Sequence, residues 1–389
     1  MQVATAAPTE PGATSDRDRE ITLDFRKIQA ELAQGYEGPL LLLDLNIVRA
    51  KARRFMAAMP LVRPHYAVKA NPHPLVIQAL MEEGVGFEIA SFAELDLLLG
   101  LGVPAHEIVY SNPVKARNYV ERAAGSGVEW FAIDSVEELR KVASLKPDAK
   151  LCLRIDTSNA DSDWPLSGKF GAGPDEAREI IALAVRLDAD LAGATFHVGS
   201  QCRSAENWGS GIGRAKETLK ALRSAGMRPR LLDIGGGFPV RYRVPIPSIE
   251  EIGDIVNRAI EDLAPEVAVI AEPGRFLVSD AGWFVCRVNS ITKRNGKRWA
   301  YWDAGVFGGV IESAEGMIYE IRTDRRGPPV RWTIAGPTCD STDVLHGEHL
   351  LPDDLQEGDF IYLPNTGAYT STRACGFNGF PLPNVRVIA

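Results

Sequence analysis

The stretch His65-Tyr66-Ala67-Val68-Lys69-Ala70-Asn71-Pro72 decides how the rest of the chain is read. Tyr66 and Val68 favour a strand, and Asn71-Pro72 stops the run abruptly. A lysine placed where a buried strand meets a loop is held rigid and partly desolvated. Desolvation favours the neutral amine, the form that attacks a carbonyl. A lysine after an apolar pair also commonly extends its ammonium to solvent, so Lys69 takes its meaning from the segments further along the chain.

Those segments keep a rhythm. Apolar runs of β type occur at 66–68, 85–89, 108–110, 130–133, 151–155, 191–196, 231–234 and 267–270. Between them lie segments of helical period at 74–81, 92–99, 116–124, 136–144, 175–186, 205–225 and 249–263. Asp134-Ser135-Val136-Glu137-Glu138 and Gly173-Pro174-Asp175-Glu176 read as capped helix starts. Strands alternating with helices in this number predict a (β/α)₈ barrel of the TIM type. The nearly continuous apolar strands suit a parallel sheet covered by helices. A doubly wound open sheet is the competing architecture.

From Gly274 onward the runs become short, β-rich and broken by Gly, Pro and Asn, which predicts a C-terminal antiparallel β domain. An additional strand at 40–45 precedes the barrel. The expected division is a disordered tail at 1–20, an N-terminal segment at 21–45 joining the β domain, the barrel at 46–272 and the β domain at 273–389.

Composition narrows the function. With 43 basic and 51 acidic residues the formal charge is −8, which argues against general affinity for nucleic acid or an anionic membrane. No window approaches the roughly 18 uninterrupted apolar residues of a membrane span, and the N-terminus lacks a basic-then-apolar signal pattern. Cys152, Cys202, Cys286, Cys339 and Cys375 are widely spaced, with no C-x-x-C pair. That pattern fits free thiols in a reducing cytoplasm and supports neither a disulfide scaffold nor a metal site.

In a parallel barrel, functional groups gather at the C-terminal ends of the strands. Those ends supply Lys69, Glu88, Arg154, His197, the run Gly235-Gly236-Gly237 and Glu272. The three glycines are either a tight turn or a place where backbone N–H groups approach an anion. Glu272 and Arg275, in Glu272-Pro273-Gly274-Arg275, form either a domain-junction salt bridge or part of a ligand site. His197 is either a hydrogen-bonded core residue or a side chain that stacks on a ring, with Ser200 donating to phosphate. In the β domain, Gly336-Pro337-Thr338-Cys339-Asp340-Ser341-Thr342-Asp343 makes Cys339 a better candidate for a reactive thiol than the other four cysteines. Tyr369 either packs or aims a phenol at a phosphate. A lysine, a partner for a ring nitrogen, a cover for a ring face and donors for a phosphate are the parts that pyridoxal phosphate requires.

These segments together resemble the fold-type III pyridoxal-phosphate decarboxylases of basic amino acids, the ornithine/lysine decarboxylase-like family, whose barrel is alanine racemase-like. The resemblance runs from about Pro39 to Ile388. It rests on Tyr66–Asn71, His197-Val198-Gly199-Ser200-Gln201, Gly235–Pro239, Glu272–Arg275, Gly336–Asp340 and Gly367-Ala368-Tyr369. The segment Trp164-Pro165-Leu166-Ser167-Gly168-Lys169-Phe170-Gly171 looks like the family's bacterial branch.

The resemblance implies that Lys69 is the Schiff-base lysine, Glu272 pairs with the pyridinium nitrogen, His197 stacks on the ring and Arg154 lies near the phenolic oxygen. It implies phosphate ligands at Ser200, Gly235–Gly237, Arg275 and Tyr369. It further implies an obligate homodimer with shared active sites, in which Cys339 protonates Cα and Asp340 binds substrate in the neighbouring subunit's site, with Lys169 pairing across the interface with Asp343.

Substrate selection is marked by departures from the family pattern. Glu315 stands where relatives commonly carry Asp, and Gly316 where bacterial relatives usually carry Glu. One more methylene moves a carboxylate by about 1.5 Å. Glu88 also replaces a common Asp and is expected to orient His197 or a neighbouring group. The expected activity is decarboxylation of ornithine or lysine to a diamine such as putrescine, in polyamine biosynthesis. The alternatives are diaminopimelate, 2,4-diaminobutyrate or an ornithine-like unit of a natural product, and, from another class, a non-catalytic cofactor carrier or regulatory pseudo-enzyme.

Overall fold

The computed structural model describes residues 24–166 and 168–388, so the expected tail at 1–20 lies outside the described residues. Eight parallel strands close into a barrel. In hydrogen-bonded order they are Val62–Ala67, Gly86–Ile89, Ile108–Tyr110, Trp130–Ile133, Lys150–Arg154, Leu191–Thr195, Leu231–Asp233 and Ala268–Ala271, the last pairing with the first. Each lies within two residues of its expected position at its C-terminal end, the end that carries the functional side chains. Tyr66, Phe87, Phe131, Leu153 and Leu232 are fully or almost fully buried, as strands covered on both faces require.

The expected helices are present, and their caps explain where they begin. Ser135 accepts from the Glu138 N–H, and the Glu176 carboxylate accepts from the Gly173 N–H ahead of Pro174. Ser248 and Glu251 form a reciprocal capping box.

An eighth barrel helix, Leu45–Ala58, completes the ring between Pro74–Glu82 and Ile249–Ile260. The sequence rhythm hid it because the preceding strand runs straight into it. Asp44 ends that strand and caps the helix, accepting from the Asn46 N–H at 2.9 Å. Val48, Ala52 and Phe55 then bury one helical stripe. The apolar run at 40–45 is therefore a strand plus the first helical residue.

Eight of the ten other described strands build a sheet beside the barrel. Five of its seven pairings are antiparallel. The other two are parallel: Lys297–Trp302 with Pro329–Ala335, and Leu40–Asp44 with Asn384–Ile388. The sheet is thus mixed, with Leu40–Asp44 inserted between Gly282–Arg294 and the C-terminal strand. Barrel and sheet share one apolar cluster, which includes Phe55 and Leu153 from the first and Trp283 and Leu363 from the second. A two-stranded antiparallel sheet, Ser162–Trp164 with Ser200–Cys202, stands at the barrel mouth. No described helix is long and apolar enough to cross a membrane.

Candidate active site

Lys69 sits on a single 3₁₀ turn, Val68–Ala70, immediately after the first barrel strand. The turn is clamped from several directions. The Tyr66 hydroxyl donates to the Asn71 carbonyl at 2.9 Å, and the buried Asn71 amide donates to the Gly367 carbonyl at 2.8 Å. The Tyr369 N–H donates to the Ala70 carbonyl at 2.8 Å. Loop and turn thus hold each other, although Tyr369 itself takes a left-handed φ of 62°, a conformation that non-glycine residues adopt only when their surroundings impose it.

The lysine side chain is 47% exposed, facing a cavity of about 560 Å³ in the barrel mouth. Its Nζ donates to the buried Glu88 carboxylate at 3.0 Å. Loss of water inside the barrel mouth pulls Lys69 down, but the negative charge of Glu88, with Tyr369 and Glu272, outweighs it and holds the lysine above its ordinary range. This corrects the expectation of a neutral amine: in the chain alone the ammonium is the favoured form. Glu88 meets Lys69, a neighbouring group of the kind expected, rather than His197.

Across the cavity, Glu272 follows the last barrel strand and is 9% exposed. Burial, reinforced by Asp233 beside it, pushes its carboxyl up to about 8. Asp233 accepts from the Gly235 N–H at 2.8 Å and the Thr195 hydroxyl at 2.9 Å, besides its hydrogen bond with Glu272. The Glu272 carboxyl also shares side-chain hydrogen bonds with Ser111 and Asp233, yet its Oε1 is buried and finds no partner among the described residues. An orphaned carboxyl oxygen in the floor of a cavity is costly unless a ligand supplies a donor.

His197 lies beside it and accepts the Gly199 N–H on Nδ1 at 3.0 Å, which leaves Nε2 to carry the proton of the neutral ring. Burial, with the positive charges of Arg154 and Lys69, keeps this imidazole well below its usual range and hence uncharged. Arg154 faces the same space and stacks its guanidinium 5.2 Å from the Phe170 ring centroid.

The glycine run is pressed between strand ends. At Gly235 (φ 66°) a Cβ would meet the Phe196 carbonyl oxygen at 2.0 Å, and at Gly237 (φ 96°) the Gly199 oxygen at 2.3 Å. A Cβ at Gly236 would sit 2.7 Å from the Glu272 carbonyl oxygen. No side chain fits here, so the backbone itself forms the wall. Of the three, Gly237 lines the cavity; Gly235 and Gly236 form the packed layer beneath. Ser200, on the small two-stranded sheet, faces the same space.

Arg275 reaches the cavity on a short helix, Arg275–Val278, and stacks 4.8 Å from the Tyr369 ring. It does not pair with Glu272. Its two terminal nitrogens grip the buried Glu312 at 2.9 and 2.5 Å, and it also donates to the Tyr242 hydroxyl at 2.8 Å. Glu315, also in the cavity wall, is gripped by Arg373. Sequence reasoning does not reach Glu312, Arg373 or Phe170 as site residues. Nothing in spacing links Arg373 to Glu315, 58 positions away. Trp164 stands out in the sequence only for the branch it resembles, yet it packs 5.1 Å from the Arg275 guanidinium.

The β-domain residues lie elsewhere. Cys339 is exposed and bonds Asn378 through its backbone N–H and its Sγ, both at 3.1 Å. Asp340 accepts from the Thr342 N–H and hydroxyl, each at 2.8 Å. Neither lines the cavity of its own chain. Asp343 is 2% exposed and accepts from the Val306 N–H at 2.7 Å and from the Thr338 N–H and hydroxyl at 3.0 and 2.7 Å. Lys169 lines the cavity, with its ammonium 5.0 Å from the Phe170 ring centroid.

The residues present fit one group. Glu272 Oε1 lacks a donor, and a pyridinium nitrogen is one. A neutral imidazole covers an aromatic face without adding charge, and a side-chain-free backbone at Gly237, with Ser200 facing the same space, suits a phosphate. Pyridoxal phosphate brings all three, with an aldehyde for Lys69. Fold and site together define a barrel enzyme that works with this cofactor.

Comparison with known proteins makes the class narrower. The family profile described as "Pyridoxal-dependent decarboxylase, pyridoxal binding domain" matches residues 45–279. The chain is 37% identical over 358 residues to an ornithine decarboxylase of Schizosaccharomyces pombe, covering 87% of this chain and 80% of that one. Among solved structures, a lysine/ornithine decarboxylase of Vibrio vulnificus complexed with cadaverine superposes with a TM-score of 0.87 at 33% identity, over 94% of this chain and 98% of the other. An arginine decarboxylase of Paramecium bursaria Chlorella virus bound to agmatine does so with a TM-score of 0.89 at 29% identity, over 93% and 100%. The chain belongs to the pyridoxal-dependent decarboxylase family, and it is a pyridoxal-phosphate-dependent decarboxylase.

Proposed function

We propose that the protein removes CO₂ from a basic L-amino acid, with ornithine first and lysine second, and releases a diamine such as putrescine. The observation that carries the proposal is the orphaned Glu272 Oε1 facing a cavity that also contains the Lys69–Glu88 pair. When bound, pyridoxal phosphate supplies a protonated ring that accepts the electron pair left on Cα as CO₂ departs.

The chain's own residues do the rest. Lys69 holds the cofactor through its amine, and Glu88 stores the proton that the amine gives up. Glu272 accepts the hydrogen bond of the ring nitrogen and so keeps that nitrogen protonated. His197, uncharged, covers one ring face, and Arg154 stands by the phenolic oxygen. Ser200, the Gly235–Gly237 segment, Arg275 and Tyr369 hold the phosphate, with Gly237 nearest the cavity.

The proton returned to Cα is assigned to Cys339 of the partner subunit. The exposure of Cys339, which is not among the residues lining its own chain's cavity, supports an obligate homodimer with shared sites. Asp340 of the partner subunit then meets the substrate's distal ammonium. Asp343 has accepted three donors, which leaves one of a carboxylate's roughly four acceptor positions for Lys169 of the partner subunit. The segment Trp164–Gly171 supports a place in the family's bacterial branch, and the cysteine pattern supports a cytoplasmic setting.

The test is a panel of L-ornithine, L-lysine, 2,4-diaminobutyrate and meso-diaminopimelate with identification of the amine formed. The highest kcat/KM is expected for ornithine or lysine. A preference for diaminopimelate overturns the substrate assignment, and absence of CO₂ release from every member overturns the activity.

A further inference from the structure

Four charged side chains alternate in sign along one wall of the cavity. Arg275 holds Glu312 through both of its terminal nitrogens. Arg373 Nη1 lies 3.8 Å from Glu312 Oε1 and donates to Glu315 Oε2 at 2.9 Å, while its Nη2 donates to Glu315 Oε1. Two guanidiniums thus face two carboxylates, and the wall carries no net charge. Arg275 and Glu312 are buried, with side chains 6% and 5% exposed, and hold each other. Arg373 and Glu315 are 36% and 35% exposed, at the part of the wall that a ligand reaches. The hydrogen bonds from Arg373 also hold the Glu315 carboxyl below its ordinary range, so it is ionised and engaged.

A fork-to-fork contact uses the best-directed lone pairs of a carboxylate. An ammonium arriving at Glu315 has to displace a guanidinium and then sit beside it, which like charges oppose. We infer that Arg373 sets the affinity for diamino acids by competing with the substrate's distal ammonium for Glu315. The inference rests on the basic-amino-acid assignment and deepens it. Glu315 acts as the anchor of Arg373, and the distal ammonium is left to Asp340 of the partner subunit. Arg373 thereby weakens the hold on every diamino acid whose terminal cation points at this wall.

The test compares wild-type holoenzyme with Arg373→Gln, using L-ornithine and L-lysine as substrates and calorimetric titration with putrescine and cadaverine. Removing the competitor is expected to lower KM and the diamine Kd by about tenfold, with kcat moving less than KM. Arg373→Lys, which restores a cation, is expected to return both toward wild type. Adding Glu315→Gln to Arg373→Gln is expected to erase the gain, because the freed carboxylate is then gone. Arg373→Met keeps an uncharged stem of similar reach and serves if the first variant fails to fold. Unchanged or raised KM and Kd in a folded, cofactor-loaded variant overturn the inference while leaving diamino-acid turnover standing. No CO₂ from any basic amino acid, in wild type and variants alike, overturns the substrate assignment and the inference with it.

Discussion

The backbone N–H of Tyr369 donates to the carbonyl of Ala70 at 2.8 Å, joining a loop of the sheet to the turn that carries Lys69. Asn71 makes a second link through its amide to the Gly367 carbonyl and also accepts the His73 N–H at 3.1 Å. The Lys69 turn is therefore positioned by both halves of the molecule.

Asn71→Ala leaves the Gly367 carbonyl and the His73 N–H without their partner in a site that is 1% exposed. Stability is expected to fall by about 1–3 kcal/mol, as unpaired buried polar groups cost. Urea unfolding measures this, and cofactor affinity should fall in parallel because the turn loosens. Full retention of both would mean that the link is incidental.

Lys69→Ala removes the amine that holds the cofactor. The variant should lose retention of pyridoxal phosphate through dialysis and lose roughly 10³-fold or more of its turnover. A variant that keeps both would show that another group carries the cofactor.

Glu272 gives a pH signature in the cofactor-free protein. Its carboxyl is held near 8 in the fold, against an ordinary value of 4.5. Between those values the folded state binds a proton that the unfolded state has released, so stability falls as pH rises through this window. One such proton is worth at most about 1.4 kcal/mol per pH unit. The difference between wild type and Glu272→Gln isolates this slope from that of other groups, and calorimetric unfolding at pH 5, 6, 7 and 8 should show Glu272→Gln gaining on wild type as pH rises. Parallel profiles would place the proton elsewhere.

Cys339→Ala is expected to slow or misdirect protonation at Cα more than it weakens cofactor binding. If sites are shared, mixing Lys69→Ala with Cys339→Ala restores one complete site in each mixed dimer. A random mixture should then recover about a quarter of wild-type activity. No recovery at all, from subunits shown to exchange, would confine each site to one chain.

The barrel was legible because its strands are buried on both faces and read as unbroken apolar runs between helical stripes. The helix Leu45–Ala58 escaped because Asp44 ends a strand and caps that helix at once, leaving no loop to separate two periodicities. Lys69, Glu88, His197 and Glu272 were found by asking what stands at strand ends, a question sequence order answers. Arg373 and Glu312 could not be found that way, since they come from connections after the barrel whose path depends on how the sheet packs against it.

From the order of its residues alone, this chain declares the periodic elements, the strand ends that bear its chemistry and the glycines that admit no side chain, because each depends on neighbours a few positions away. Charge state and partnership were settled only by folding. Lys69 is held above its ordinary range because Glu88 from the next strand meets it, Glu272 is raised by burial with Asp233 beside it, and Glu315 is engaged because a distant loop brings Arg373 to it. Electrostatic energy varies with distance in space and with exclusion of water, and neither quantity is written along the chain.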